Sequence, residues 1–418
     1  MTETEALDDP VAIEYDPDRP LPLHPLVHLA DGDEVTVGRR DTDSYAIFPP
    51  DGAALVRRLE EGDTPREAAA WYAETYHENV DIDDVIGALA ELGFIRDPED
   101  PPAAPGPAPG APVRWRRLGV ALFSPFAWVA YAAVIGWALV AMIRHPDLVP
   151  NYQNVFFTDY YTVIQVTLFI AAVPQLLLHE AFHALAGRRL GLRSSLSVGR
   201  RLYFIVLETS LDGLVAVPRR KRYLPIVAGM FADIVVIALC TIAADLSRTA
   251  GGGFTLTGRF CLAFAFAILL RVLWQFSFYL RTDLYVLVST VLRCVDLDTT
   301  AKRLLRNRFN RLLRRHDKLV DESRWHPADR RAARWYSWLI LGGYTVSLAT
   351  FAWAVVPLLY TMGVAVLSRF VDDGATWAEL LDSTIFAGFI LIQFAVLGGL
   401  ALRDRLRRRQ GELRHVIA

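Results

Sequence analysis

A long apolar run, residues 160–186, contains the stretch His179-Glu180-Ala181-Phe182-His183. On an α-helix, residues four apart lie on one face, so the imidazoles of His179 and His183 can bind a single metal ion. Glu180 then stands next to this ion as a general base for water. Three ionisable groups within five residues at membrane depth indicate a shared function or a water-filled cavity, because contact with lipid is costly. The alternative is a pair of hydrogen-bonded histidines near a helix end.

The composition predicts an integral membrane protein that is mainly α-helical. The chain has 418 residues, of which 53% are hydrophobic. Each of six apolar runs is long enough to cross a hydrocarbon core of about 30 Å. The runs are 118–143, 160–186, 223–246, 260–280, 336–366 and 380–402. We therefore expect a polytopic bundle of about six spans.

Arginines are concentrated in alternate loops between these runs, so the positive-inside rule predicts a multi-pass cell-membrane protein with both termini in the cytosol. The first hundred residues are polar, acidic and broken by prolines, unlike a secretory signal peptide. This composition also favours an N-terminus that stays in the cytosol.

The N-terminal region predicts a small α+β domain of winged-helix type over residues 21–97, after a disordered stretch 1–20. Strand-like pieces occur at 34–37 and 45–48. Thr64 begins a capping box with Pro65 at the first helical position, and Asp81 is placed to cap the next helix. Residues 98–113, rich in proline and alanine, are expected to form a linker to a membrane core at 114–297.

The C-terminal third consists of a basic cytosolic loop at 298–335 and a two-span hairpin with a basic tail at 336–418. Leucines recur at helical spacing within 302–334, among many arginines. This pattern favours a helix lying on anionic lipid headgroups over a nucleic-acid site.

A catalytic zinc ion needs three protein ligands and one open position, so the two histidines require a third donor. Asp212 lies in a Leu-Asp-Gly sequence, but within the basic loop directly after the motif span. Asp283 lies at the cytosolic end of the fourth apolar run, two crossings after the histidines. This order resembles that of site-2-protease-type intramembrane metalloproteases, whose aspartate ligand comes from a later span. The resemblance favours Asp283, which needs a helix end or bend to reach the depth of the motif.

Two further charged residues lie inside apolar runs, Asp233 in the third and Arg271 in the fourth. At the rise of an α-helix they lie about 16 Å and about 15 Å from the cytosolic boundary. Opposite charges at matching depth on successive spans are expected to pair, so we interpret them as a structural ion pair rather than as metal ligands.

The membrane core resembles the M50 family of site-2-protease-like peptidases. The likeness rests on the HEAFH motif, Val217-Pro218-Arg219-Arg220, Ala228-Gly229 and Arg281-Thr282-Asp283-Leu284-Tyr285, over residues 160–297. It implies that His179, His183 and Asp283 bind Zn²⁺ and that Glu180 activates water. The family's NxxPxPxLDG sequence is absent, and Thr282-Asp283-Leu284 stands in place of its aspartate segment.

The N-terminal residues resemble PqqD-like peptide-recognition domains. The resembling features are the strand with Tyr45, the turn at 59–62 and the closing Gly93-Phe94-Ile95. The alternative is a regulatory winged helix that binds no peptide. Together the two regions are similar to a branch of peptide zinc metalloproteases that join a PqqD-like domain to an M50 core.

The sequence thus predicts an intramembrane zinc endopeptidase that hydrolyses a peptide bond of a membrane-associated or ribosomally made peptide. Two alternatives stay open. One is a noncatalytic membrane module that binds or exports a peptide through the PqqD-like domain. The other is a transporter in which the histidine pair relays protons and no metal is bound.

Overall fold

The computed structural model describes residues 15–417, apart from 33, 40, 41, 43, 97–112, 202, 203, 295, 323, 324, 326, 372 and 373. The predicted disordered stretch 1–20 and the predicted linker 98–113 therefore lie largely outside the described residues. The chain forms two compact units. The first holds the residues up to Arg116 together with 187–195 and 211–223, and the second holds the rest.

The first unit begins with an antiparallel sheet in the order β1-β2-β3. Its strands are β1 (Val27–Asp31), β2 (Glu34–Arg39) and β3 (Ser44–Phe48), and three helices follow, α1 (Pro50–Glu61), α2 (Pro65–Tyr76) and α3 (Ile82–Glu91). The sequence predicted parts of β2 and β3. It did not predict β1, whose five residues pair with residues 34–38 of β2. The fully buried side chains of this core include Val37, Leu55, Val56, Leu59, Leu89 and Phe94.

Both predicted helix starts in this unit are confirmed. The Thr64 hydroxyl accepts a hydrogen bond from the backbone N–H of Glu67 (3.3 Å), and the Glu67 carboxylate accepts one from the N–H of Thr64 (3.0 Å). The Asp81 carboxylate accepts from the second and third residues after it. These caps satisfy N–H groups that a helix start leaves unpaired, which is why short polar side chains mark the boundaries.

The remaining chain is mainly helical. It contains α4 (Arg116–Leu122), α5 (Pro125–Arg144), α6 (Tyr161–Arg189), the hairpin strands β4 (Arg193–Arg201) and β5 (Phe204–Asp212), α7 (Arg219–Leu246), α8 (Leu256–Trp274), α9 (Asp283–Leu292), α10 (Leu297–Leu312), α11 (Pro327–Thr350), a π-helical turn (Phe351–Val355), α12 (Val356–Val371) and α13 (Trp377–Ile417).

Five helices among the described residues are long and apolar enough to cross a membrane. They are α5, α6, α7, α8 and the continuous helix Ala328–Val371 that joins α11 to α12. The prediction of a mainly helical chain with helices that could span a membrane is therefore confirmed, with five candidate spans in the described part of the chain and about six predicted. The sixth predicted run, 380–402, lies in α13, where several side chains are outside the described residues. The cell membrane and the cytosolic termini stay predictions.

Two predicted span boundaries differ from the observed helices. The first run is divided, because Ser124 caps a new helix that starts with Pro125, a residue without an N–H for the preceding turn. The fourth run was expected to continue to residue 280, but α8 ends at Trp274. The chain then leaves the helix before Asp283, as the predicted bend requires.

A buried carboxylate fixes the start of α6, the helix that carries the motif. Asp382 of α13 accepts hydrogen bonds from the backbone N–H groups of Tyr161 (2.8 Å) and Thr162 (2.9 Å). Arg369 of α12 donates to the same carboxylate at 3.1 Å. Asp382 is thus both the cap of α6 and one half of an ion pair with Arg369. The pair is buried, with only 6% of the Asp382 side chain exposed.

Replacing Asp382 by alanine should destabilise the second unit. The substitution removes the cap of α6 and leaves the buried Arg369 without its carboxylate partner, a loss that typically costs about 3–5 kcal/mol. Denaturant or thermal unfolding in detergent measures the change. Glu379→Ala is the matched control, because Glu379 caps the exposed start of the same helix, α13. Equal losses for the two variants would contradict this role.

Candidate metal centre

Three side chains of the second unit converge at one point. They are His179 and His183 of α6 and Asp283, the first residue of α9, and we call this group the metal centre. The two Nε2 atoms are 3.1 Å apart, and each lies 3.3 Å from Oδ2 of Asp283. Three lone-pair donors this close repel one another unless a cation or a proton lies between them. The arrangement can therefore hold a metal ion.

The break between α8 and α9 brings Asp283 to this point. The Thr282 hydroxyl donates a hydrogen bond to the backbone carbonyl of Gln275 at 2.6 Å, which closes the irregular segment on itself. Arg281, with a left-handed φ of 54°, donates to the buried Asp298 of α10 at 3.1 Å. If α8 continued without a break, Asp283 would lie farther along the helix axis, away from the two histidines. The end of α8 at Trp274 therefore allows the Asp283 carboxylate to reach them.

Hydrogen bonds at the far ring nitrogens fix both imidazoles. Nδ1 of His179 lies 2.9 Å from the Asp233 carboxylate, and Nδ1 of His183 lies 2.7 Å from the carbonyl oxygen of Pro225. A carbonyl oxygen and an ionised carboxylate only accept hydrogen bonds, so Nδ1 carries the proton in each ring. In the neutral imidazole the lone pair is then at Nε2, the atom that faces the metal centre.

The donor set fits zinc in type and in spacing. Two imidazoles and a carboxylate with one open position form a common catalytic zinc site. For bonds of about 2.0–2.1 Å, the edge of a tetrahedron is about 3.3–3.4 Å, close to the observed donor separations of 3.1 and 3.3 Å. About a quarter of the Asp283 side chain is exposed, whereas both histidines are buried. The open side of the centre is therefore the side of Asp283.

Gly229 of α7 leaves room for this group. A Cβ built at residue 229 would lie 2.6 Å from Nε2 of His179 and closer still to Nε2 of His183. The neighbouring Ala228 and Ala232 are buried against Phe182, so α7 approaches the motif helix through small residues. The space in front of the two ring nitrogens exists because this position has no side chain.

Gly229→Ala should therefore displace an imidazole and weaken metal binding by at least about tenfold, the loss typical of a disturbed ligand shell. Metal content after dialysis against a graded zinc buffer measures it. Gly136→Ala in α5 is the control, since a Cβ there meets no atom within 4 Å. Retention of full zinc affinity by the Gly229 variant would show that the centre lies elsewhere.

The predicted partners Asp233 and Arg271 form an ion pair, with Arg271 Nε 3.2 Å from Oδ2 of Asp233 and Nη2 bound to Oδ1. Gln175 of α6 donates to the same carboxylate at 3.0 Å. Asp233 is fully buried, so each of its oxygens needs these donors. The sequence predicted a structural ion pair only. In the structure Asp233 also orients His179, through its hydrogen bond with Nδ1.

Gln275 holds Asp283, the candidate third ligand, at two points, a role that sequence reasoning missed. Its Nε2 donates to Oδ2 of Asp283 at 3.1 Å, and its Oε1 accepts from the backbone N–H of Asp283 at 3.2 Å. Gln175 was missed as well, although it lies four residues before His179 and thus on the same face of α6. For Gln275 the sequence offers no comparable signal, since the contact depends on an irregular segment.

Gln275→Ala should lower zinc affinity by about 10–100-fold, the usual effect of losing a residue that orients a metal ligand. Competition with a fluorescent zinc chelator provides the measurement. Gln153→Ala, at an exposed position far along the chain, serves as the control. An unchanged affinity would indicate that Asp283 is held by its helix alone.

Glu180, the predicted general base, is buried next to the first ligand. Thr209 donates a hydrogen bond to its backbone carbonyl at 3.2 Å. Its carboxylate has no hydrogen bond or ion pair within the part of the chain that the structure describes, so it is not engaged in a structural contact there. Asp212, the rejected ligand candidate, lies at the end of β5 in the first unit, outside the metal centre.

Comparisons with protein-family models, with curated proteins and with solved structures gave no match for this chain.

Proposed function

We propose that the protein is a membrane-embedded zinc endopeptidase. The observation that carries the proposal is the convergence of His179 Nε2, His183 Nε2 and Asp283 Oδ2 within 3.3 Å of one another. The helix that supplies both histidines is among those long enough to span a membrane. Because the metal-binding motif lies on a helix that can span a membrane, we expect the substrate to be at the membrane as well.

The ligand residues act by fixing geometry. His179 is oriented by Asp233, His183 by the Pro225 carbonyl and Asp283 by Gln275, so all three donors are positioned before an ion arrives. When bound, Zn²⁺ supplies Lewis-acid chemistry that polarises a carbonyl and favours deprotonation of water. Two neutral imidazoles and one carboxylate leave a net positive charge on the ion for that purpose.

Glu180 transfers the proton. It takes a proton from the attacking water as the new C–O bond forms at the scissile carbonyl. It then delivers this proton to the amide nitrogen as the C–N bond breaks, which releases a carboxylic acid and an amine. A buried carboxylate with no other bond among the described residues is available for both steps.

The substrate is proposed to be a membrane-associated or ribosomally made peptide. The α+β domain of the first unit, with its resemblance to PqqD-like domains, is the proposed capture site. Within that unit, β1 and β2 contact the turn Leu214–Ala216, which leads directly into α7. In the sequence, this turn is followed by α7, which carries Gly229 and Asp233.

The proposal predicts about one zinc ion per chain in protein purified in detergent without chelator. His183→Ala should lose the ion, because two remaining donors bind zinc far more weakly than three. Glu180→Gln should keep it, since glutamine preserves the size of a residue that is not a ligand. Elemental analysis of the three proteins in parallel measures this, and their unfolding temperatures control for misfolding.

The same variants test hydrolysis. Cells with wild-type protein should show peptide N-termini that are missing with Glu180→Gln, as measured by proteome-wide labelling of new N-termini. Full zinc content together with identical N-termini in the two strains would leave the peptide-binding or export module as the better explanation. Absence of zinc from the wild type, with proton flux that depends on His179, would favour a transporter.

A further inference from the structure

A second site lies in the second unit, between α10 and α11. The two helices enclose a groove of about 340 Å³, a size typical of sites for small ligands. Its floor is the buried Ile340, and its walls include Leu305, Leu341 and Trp338. The lining is almost entirely apolar except for Arg308 and Ser337. We call this the α10–α11 groove.

The groove lies where a polar helix start passes into an apolar span. Residues 327–334 at the beginning of α11 include three arginines, and the candidate span continues from there to Val371. Trp335, Trp338 and Tyr344 are all exposed on this stretch. Exposed tryptophan and tyrosine next to arginine are typical of the membrane interface, at the level of the headgroups.

Arg308 is the charged group at the groove. It donates to the Ser337 hydroxyl at 2.9 Å and to the backbone carbonyl of Arg334 at 3.3 Å. These bonds use two of the five N–H donors of a guanidinium, and none of its partners within the described ranges is a carboxylate. The side chain is held in place and keeps both its charge and free donors, which suits a phosphate group.

The surrounding charge is strongly positive. Five of the sixteen residues of α10 are basic, namely Lys302, Arg303, Arg306, Arg308 and Arg311, and its acidic residue Asp298 is buried against Lys302 and Arg281. An anionic ligand is therefore favoured by the field of the whole helix, in addition to the contact at Arg308.

We propose that the α10–α11 groove binds an anionic phospholipid, with its phosphate at Arg308 and part of an acyl chain against Ile340, Leu341 and Trp338. The apolar lining selects a ligand with a hydrocarbon chain, and the arginine selects a negative headgroup. This site is separate from the metal centre, and it stands whether or not the protein is a peptidase.

The test uses quenching of Trp338 fluorescence by lipids with brominated acyl chains. Full-length protein is reconstituted in phosphatidylcholine vesicles that contain increasing fractions of brominated phosphatidylglycerol or brominated phosphatidylcholine. For the wild type, quenching should be half-complete at a much lower fraction of the anionic lipid. Trp338→Phe should lose the component that saturates at low fractions, which assigns that component to the groove.

Arg308→Gln should raise the fraction of anionic lipid needed by about fivefold, the effect of one cationic side chain near an anionic surface. Arg308→Lys should retain most of the preference, because the charge is kept. Arg303→Gln is the matched control, since residue 303 is exposed and lies on the opposite face of α10 from Leu305 and Arg308.

Equal quenching by the two brominated lipids in the wild type would overturn the proposal. Equal losses of the preference for anionic lipid in Arg308→Gln and Arg303→Gln would also overturn it. Such a result would mean that the preference comes from the overall charge of α10 and not from the groove. Unfolding temperatures of the variants distinguish loss of the site from loss of the fold. Excess inorganic phosphate should leave the quenching unchanged, since a free anion lacks the acyl chain.

Discussion

The metal centre depends on the buried carboxylate of Asp233. It joins three helices, because it accepts hydrogen bonds from Gln175 and His179 of α6 and from Arg271 of α8 while it belongs to α7 itself. A fully buried charge without such partners would be very unfavourable, so the helices are stable together only in the register that satisfies it. One of the hydrogen bonds that stabilise the buried Asp233 carboxylate, the bond with Nδ1 of His179, also sets the orientation of this imidazole.

Hydrogen bonds also hold the other two side chains of the metal centre. His183 is held by the Pro225 carbonyl, and Asp283 is held by Gln275 across the irregular segment between α8 and α9. The segment is further restrained at Arg281, which bonds to Asp298 of α10. Each of these side chains thus has a partner beyond the centre: Asp233 and Pro225 belong to α7, and Gln275 follows the end of α8. Such preorganisation is what a catalytic metal site requires, because loose ligands bind metal weakly.

Helix α10 connects the two sites of the second unit. Its first turn carries Asp298, which restrains the segment before Asp283, and its fourth turn carries Arg308 at the proposed lipid groove. The helix is amphipathic, with Leu297, Ala301 and Leu304 buried against α11 and most of its basic residues exposed. A helix of this kind is stable at the boundary between an apolar bundle and charged headgroups, since each face meets a matching environment.

The sequence alone determined the mainly helical class with apolar spans, the capped helices of the first unit and the spacing of the histidine pair on one helix face. These follow from local rules, because hydropathy, helical periodicity and capping act between residues close in the chain. Only the tertiary structure decided where α8 ends, that β1 pairs with β2, and that Gln275 and Gly229 shape the metal centre. Those features depend on contacts between residues far apart in sequence, such as residue 229 and residue 183, and no local pattern encodes the empty space that a missing side chain leaves between two helices.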